Sequence, residues 1–229
     1  MEDAFKPEHV KDVASDIITD IEKARVQNLP NKGHVLRRKY SAKLKAAGAA
    51  FILALARELL TTYHERWLAC ELIRYHPSAF STIGEKEVEA FGDGINSWGS
   101  VDQFARSLAG PAWLNGRIAD GLIHKWASSE DRWWRRASLV STVALNVRTH
   151  GGTGDTPRTL EICRLLVNDH DDMVVKAMSW ALRELVIHDP GAVSGFINDH
   201  EQVLAARVKR EVRNKLTTGA KNPKRKLCP

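Results

Sequence analysis

A few residues in this sequence are of types that complement one another chemically. Trp98 and Asp102 lie four apart in Ser97-Trp98-Gly99-Ser100-Val101-Asp102, so on a helix they share one face. Trp180 falls in a second helical pattern, with Lys176 four residues before it and Arg183 three after it. Arg136 closes the segment Asp131-Arg132-Trp133-Trp134-Arg135-Arg136. Indole faces attract cations by about 0.5–2 kcal/mol. An ionised carboxylate stabilises positive charge as it develops and can place a water, and a guanidinium matches the fork of a phosphate. Such a set suits a reaction that builds positive charge next to a phosphate.

Each residue also has a plainer reading. Asp102 would sit in a first helical turn, where a carboxylate favours the positive end of the helix dipole. Trp180 projects away from the stripe Val174, Met178, Ala181, Leu182 and Leu185, among Lys176, Arg183 and Ile187, unless a further helix layer or the tail covers it. Arg136 borders the stripe Trp133, Ala137, Val140 and Ala144 and, as a lone border arginine, would be solvated or ion-paired.

The elements that must position these groups are helical. Apolar residues recur at helical spacing almost throughout, and period-two alternation is nearly absent. Val10, Val13, Ile17, Ile18 and Ile21 make one stripe, and Phe51, Leu55, Leu59 and Leu60 another. Further helical stretches are expected near 65–75, 100–108, 112–127, 131–148, 158–168, 172–188 and 200–216. Breakers separate them at His76-Pro77, Gly92-Asp93-Gly94, Gly110-Pro111, the loop 151–157 and Asp189-Pro190. Arg136-Ala137 and Lys176-Ala177 superpose at a separation of 40 residues. A period near 40 with two helices per unit is the signature of HEAT-like repeats. The expected fold is therefore all-α, with HEAT-like repeats stacked into a curved solenoid that presents a concave basic face; periodicity alone leaves an irregular helical bundle as the alternative. Residues 1–216 would form this single domain, and 217–229, with Lys221, Lys224, Arg225 and Lys226, a basic tail.

Composition narrows the function classes. The chain has 229 residues, and its formal charge of +6 favours a polyanionic partner. Three widely spaced cysteines, Cys70, Cys163 and Cys228, argue against a disulfide framework and for a reducing cytoplasm. Residues 1–12 are mixed and charged, unlike a signal peptide, and the most apolar stretch, Ala46–Ala56, is too short to span a membrane. Nine histidines include no pair at i+3 or i+4, so a helical metal site is not expected. Gly151-Gly152-Thr153-Gly154-Asp155 lacks the Gly-Lys-Ser/Thr of a phosphate loop, and no nucleophile elbow is present. Arg207, Lys209, Arg210, Arg213 and Lys215 mark a basic helix, open to phosphate contact or to simple solvation.

The ordered set Trp98-x-x-x-Asp102, Trp133-x-x-Arg136 and Lys176-Ala-x-x-Trp180-x-x-Arg183-Glu184 resembles the AlkD family of DNA alkylation repair glycosylases. The similarity is clearest from about Trp67 to Lys215 and extends loosely to Leu36-Arg37-Arg38. It implies a HEAT-like fold and release of N3- and N7-alkylated purines, such as 3-methyladenine and 7-methylguanine, in base excision repair. By motif position, it implies that Asp102 is the catalytic carboxylate and that Trp98 and Trp180 are its aromatic partners. Arg136, Lys176, Arg183, Arg37 and Arg38 would hold the DNA. No cofactor or metal is implied, and the expected partner is double-stranded DNA carrying alkylated purines, bound by a monomer away from any membrane. Gly99 and Ser100 depart from the bulkier, more acidic stretch expected after the tryptophan, which bears on cleft shape. The main alternative is a noncatalytic HEAT-like binder of bent or branched DNA, and a protein scaffold is the third.

Overall fold

The computed structural model describes residues 5–27 and 31–223, and all regular structure among them is helical. The chain divides into two compact units, residues 1–93 and 94–229. No helix among the described residues is long and apolar enough to cross a membrane.

The first unit contains α1 (Val10–Val26), α2 (Lys32–Lys43), α3 (Ala49–Thr61), α4 (Arg66–Arg74), α5 (Pro77–Thr82) and α6 (Glu85–Gly92). Helix α3 lies against both α1 and α4. The expected stripes form its core: Val10, Val13, Ile17 and Ile21 are buried, as are Phe51, Leu55 and Leu59. Ile18 and Leu60, at the stripe edges, stay half-buried. Buried Arg66 donates to the carbonyls of Phe91 and Asp93 and so satisfies acceptors that the end of α6 leaves open.

The second unit begins with one long helical run. Helix α7 (Trp98–Val101) passes without a break into a π-helical stretch, Asp102–Ala109, and on into α8 (Gly110–Leu114). Three helix pairs follow: α9 (Asp120–Ala127) with α10 (Arg132–Asn146), α11 (Thr156–Leu165) with α12 (Asp172–Leu185), and α13 (Pro190–Asp199) with α14 (Ala206–Thr218). Helices α10, α12 and α14 pack in one layer and α9, α11 and α13 in the other. Neighbouring α10 and α12 run parallel. Arg136 near the start of α10 reaches the Met173 carbonyl at the start of α12, while the Asn146 carbonyl ending α10 lies 2.7 Å from His188, just past α12. This two-layer stack of pairs is in keeping with HEAT-like repeats.

The capping residues carry the repeat. Asp131 accepts from the Trp133 amide at 2.8 Å, and Asp171, 40 positions later, accepts from the Met173 amide at 2.8 Å. Asp155 and Asp189 cap α11 and α13 in the same way, each with a proline in the first turn.

Several local expectations change. The stretch expected near 112–127 is two helices, α8 and α9, and α2, α5 and α6 fall outside the expected set, α5 being opened by Pro77. Gly110-Pro111 does not break the chain's helical course. The preceding turns widen to π geometry, with the Gly110 amide bonded to the Ala105 carbonyl, which makes room for a ring that cannot donate. Gly110 permits a close helix crossing, because a Cβ there would lie 2.6 Å from the Ser141 carbonyl oxygen of α10. Helix α13, absent from the expected set, starts at Pro190, where proline opens a helix rather than ending one. The last helix begins at Ala206 and runs through Thr218, so Thr217 and Thr218 belong to α14 rather than to a tail. Beyond it, the Lys221 carbonyl accepts from the Asn214 side chain at 3.0 Å. Lys224, Arg225, Lys226 and Cys228 lie outside the described residues. Cys70 and Cys163 are fully buried thiols, each pushed up to about 12 by burial, which makes them poor nucleophiles.

Candidate active site

Asp102 is placed by the start of the long helical run. Ser97 caps that helix, accepting from the Ser100 amide at 3.2 Å, while the Ser100 hydroxyl accepts from the Ser97 amide at 3.1 Å. Ser100, which breaks the expected acidic pattern, thus completes a reciprocal cap. A Cβ on Gly99 would meet nothing within 4 Å, so the surface beside Trp98 is open. With the first turn satisfied by serines, Asp102 is not the cap. Its amide is bonded back to the Trp98 carbonyl, one turn earlier, and the π stretch starts at its own position.

The carboxylate meets a single guanidinium. Arg136 Nη2 donates to Asp102 Oδ1 at 2.8 Å, and Arg136 Nη1 donates to the Met173 carbonyl at 2.7 Å. One side chain therefore ties together the π stretch, α10 and α12. Arg136 is 5% exposed, so it points inward from the stripe border instead of outward to a phosphate. Asp102 keeps 24% of its side-chain surface exposed, so water has access to it. Burial raises the Asp102 carboxyl above its ordinary value, and the Arg136 charge and hydrogen bond hold that rise in check. Beneath this region, Trp134 packs edge-on against Phe104 at 5.8 Å and near Trp126 at 5.0 Å, giving the helical run a rigid aromatic floor.

The two tryptophans differ in setting. Trp98 is 63% exposed, a large indole in solvent one turn before Asp102. Trp180 is half-buried, seven residues beyond Met173 on α12, or about 10 Å along the helix axis. Its indole N–H donates to Glu184 at 3.0 Å. The ring forms part of the wall of an open pocket of about 520 Å³, together with Lys176, Arg183, Arg207, Arg210 and Lys221. Trp180 is half-buried beside α14 and the segment after it, so its ring is partly covered instead of standing free in solvent.

Of the remaining residues expected to hold DNA, Lys176 pairs with Asp172 at 2.6 Å and Arg183 donates to the Ser179 hydroxyl at 3.2 Å, and both face the pocket. Arg37 and Arg38 belong to the first unit. Arg37 stacks 4.0 Å over the Tyr75 ring and lies 3.9 Å from Glu71, while Arg38 is exposed. The basic helix α14 sorts by partner. Lys209 and Arg213 pair with Glu201, Lys215 donates to the Gly219 carbonyl at 2.9 Å, and Arg207 donates to Asp172 at 2.9 Å; Arg207 and Arg210 line the pocket. Glu211, buried among these cations, was not expected as a site residue. Its signal was an acid standing on the apolar stripe with Val208 and Val212. Among the described residues no group of histidine, cysteine or carboxylate side chains could hold a metal ion.

A family model described as DNA alkylation repair enzyme matches residues 32–216. The chain belongs to that family. The match spans both units and includes every residue of the Trp98, Asp102, Arg136 and Trp180 set, so DNA is the substrate class and DNA alkylation repair the process. Comparison with curated proteins finds no match.

Proposed function

We propose that this DNA alkylation repair enzyme is a monofunctional glycosylase that hydrolyses the N-glycosidic bond of cationic N3- or N7-alkylated purines in duplex DNA. The observation that carries the reading is Asp102, a partly desolvated carboxylate with an open side, fixed at 2.8 Å by a buried arginine and preceded one turn earlier by an exposed indole. A purine alkylated at N3 or N7 is already positive, so no strong general acid is needed. The bond from C1′ to the base nitrogen breaks, and its electron pair neutralises the leaving base. The sugar passes through an oxocarbenium-like state, which the Asp102 anion stabilises. Water adds at C1′ and loses its proton to Asp102 or to solvent, leaving an abasic site for the later steps of base excision repair.

Arg136 acts in this scheme by orienting Asp102, since its Nη2 is committed to that carboxylate and its Nη1 to the Met173 carbonyl. Trp98 and Trp180 offer π faces to the charged base or the sugar cation, and Lys176 and Arg183 grip the backbone without reading sequence. The protein works as a cytoplasmic monomer without a cofactor. Incubation with methylated duplex DNA tests the reading, with free 3-methyladenine or 7-methylguanine as the expected product. Tight binding of bent or branched DNA with no base release would favour the noncatalytic alternative.

A further inference from the structure

The pocket beside Trp180 contains more organisation than a solvated basic face requires. At its centre Glu211 is only 4% exposed. The Ser179 hydroxyl donates to it at 2.6 Å, Lys221 Nζ lies 3.4 Å away, and Arg207 and Arg210 each approach to 3.8 Å. Burial alone would raise the Glu211 carboxyl. Ser179, Lys221 and Arg183 outweigh it and hold the group below its ordinary value, so it stands as an anion at neutral pH. Asp172 shares the load, accepting from Arg207 at 2.9 Å and pairing with Lys176 at 2.6 Å. Glu211 and Asp172 thus serve Lys176, Arg183, Arg207, Arg210 and Lys221, which leaves a surplus of positive charge around an open volume of about 520 Å³.

We infer that this pocket is a seat for a DNA backbone phosphate and that Glu211 is its positioning residue, holding cations of α14 and of the segment after it in a preformed array. A mobile lysine or arginine loses side-chain entropy when it binds a phosphate. Holding Arg210 and Lys221 beside buried Glu211, and Arg207 between Glu211 and Asp172, removes part of that freedom beforehand. The same geometry makes residues 219–222 part of the binding surface, because the carbonyl of Lys221 is tied to Asn214. The inference rests on DNA as the partner, and not on release of a base.

The sign of one substitution separates positioning from bulk charge. Glu211→Gln keeps the shape and an acceptor for Ser179 but removes a negative charge. By net charge alone it would tighten DNA binding. If Glu211 positions the cations, the variant weakens binding several-fold. The measurement is the affinity of the full chain for unmodified duplex across a salt series, with thermal melting to confirm folding. Lys221→Ala and Arg207→Ala, which leave the core intact, are each expected to weaken binding roughly ten-fold and to lower the slope of log K against log salt by about 1. Tighter or unchanged binding by Glu211→Gln, or an unchanged salt slope in the two alanine variants, would overturn the inference. Weakened binding combined with no base release from methylated DNA would count against the glycosylase reading and support this one.

Discussion

Asp102 and Arg136 meet across 34 positions of sequence, and their charges set what each can do. Burial lifts the Asp102 carboxyl above its ordinary value while Arg136 resists, and the proposed mechanism needs the anion. Activity should therefore fall as pH drops through an apparent pKa above about 3.9, the ordinary aspartate value. The stability sign is the opposite. A raised folded-state pKa means that protonation favours the fold, so the cost of ionising Asp102 is absent below about 3.9 and grows as pH rises through the folded value. In Arg136→Gln the acid limb should move to higher pH, because burial is then opposed by less positive charge; an unmoved limb in a pH–rate profile would separate the limb from this pair. Arg136→Ala, which leaves the carboxylate without its counter-ion and opens a void, should cost about 3 kcal/mol in urea unfolding. Arg136→Lys should recover little of that, since one ammonium does not reproduce a planar fork aimed at two acceptors. The helices that carry the candidate residues Trp98, Asp102, Arg136 and Trp180 were legible in the sequence. The inward turn of Arg136 was not, because helical periodicity places a side chain on a face but does not say which partner the fold brings to it.

Among the elements, the helix pairs were the most legible feature and their edges the least. The 40-residue offset read from Arg136-Ala137 and Lys176-Ala177 is the offset of the caps Asp131 and Asp171, so one repeat register accounts for both observations. Proline misled the reading three times: at Pro77 and Pro190 it opens a helix, and at Pro111 a π-helical stretch absorbs it. That π stretch starts at Asp102 and ends against Gly110, which makes the glycine a packing requirement for the run that bears the carboxylate. Gly110→Ala would set a Cβ 2.6 Å from the Ser141 carbonyl oxygen and 2.7 Å from the Ala144 Cβ. The expected result is a loss of about 1–3 kcal/mol in chemical denaturation. A variant as stable as wild type would show that the two helices separate freely.

Over the whole molecule the charge of +6 is less informative than its distribution. Several basic residues of α14 serve neighbouring acids and helix ends, and the cations left around Trp180 are gathered on Glu211 and Asp172. The family match from residue 32 to 216 assigns the chain to DNA alkylation repair, and the proposed mechanism draws its chemistry from the carboxylate, arginine and indole set. That chemistry depends on the charge of Asp102 and not on its shape. Asp102→Asn keeps an oxygen to accept from Arg136 and should fold and bind duplex DNA as wild type does. The most direct measurement is single-turnover release of 7-methylguanine or 3-methyladenine from methylated duplex by the wild type and by Asp102→Asn, with DNA affinity measured alongside. The account predicts release by the wild type and a loss of about 10²-fold or more in the variant at equal affinity. Release at a similar rate by both proteins would contradict it.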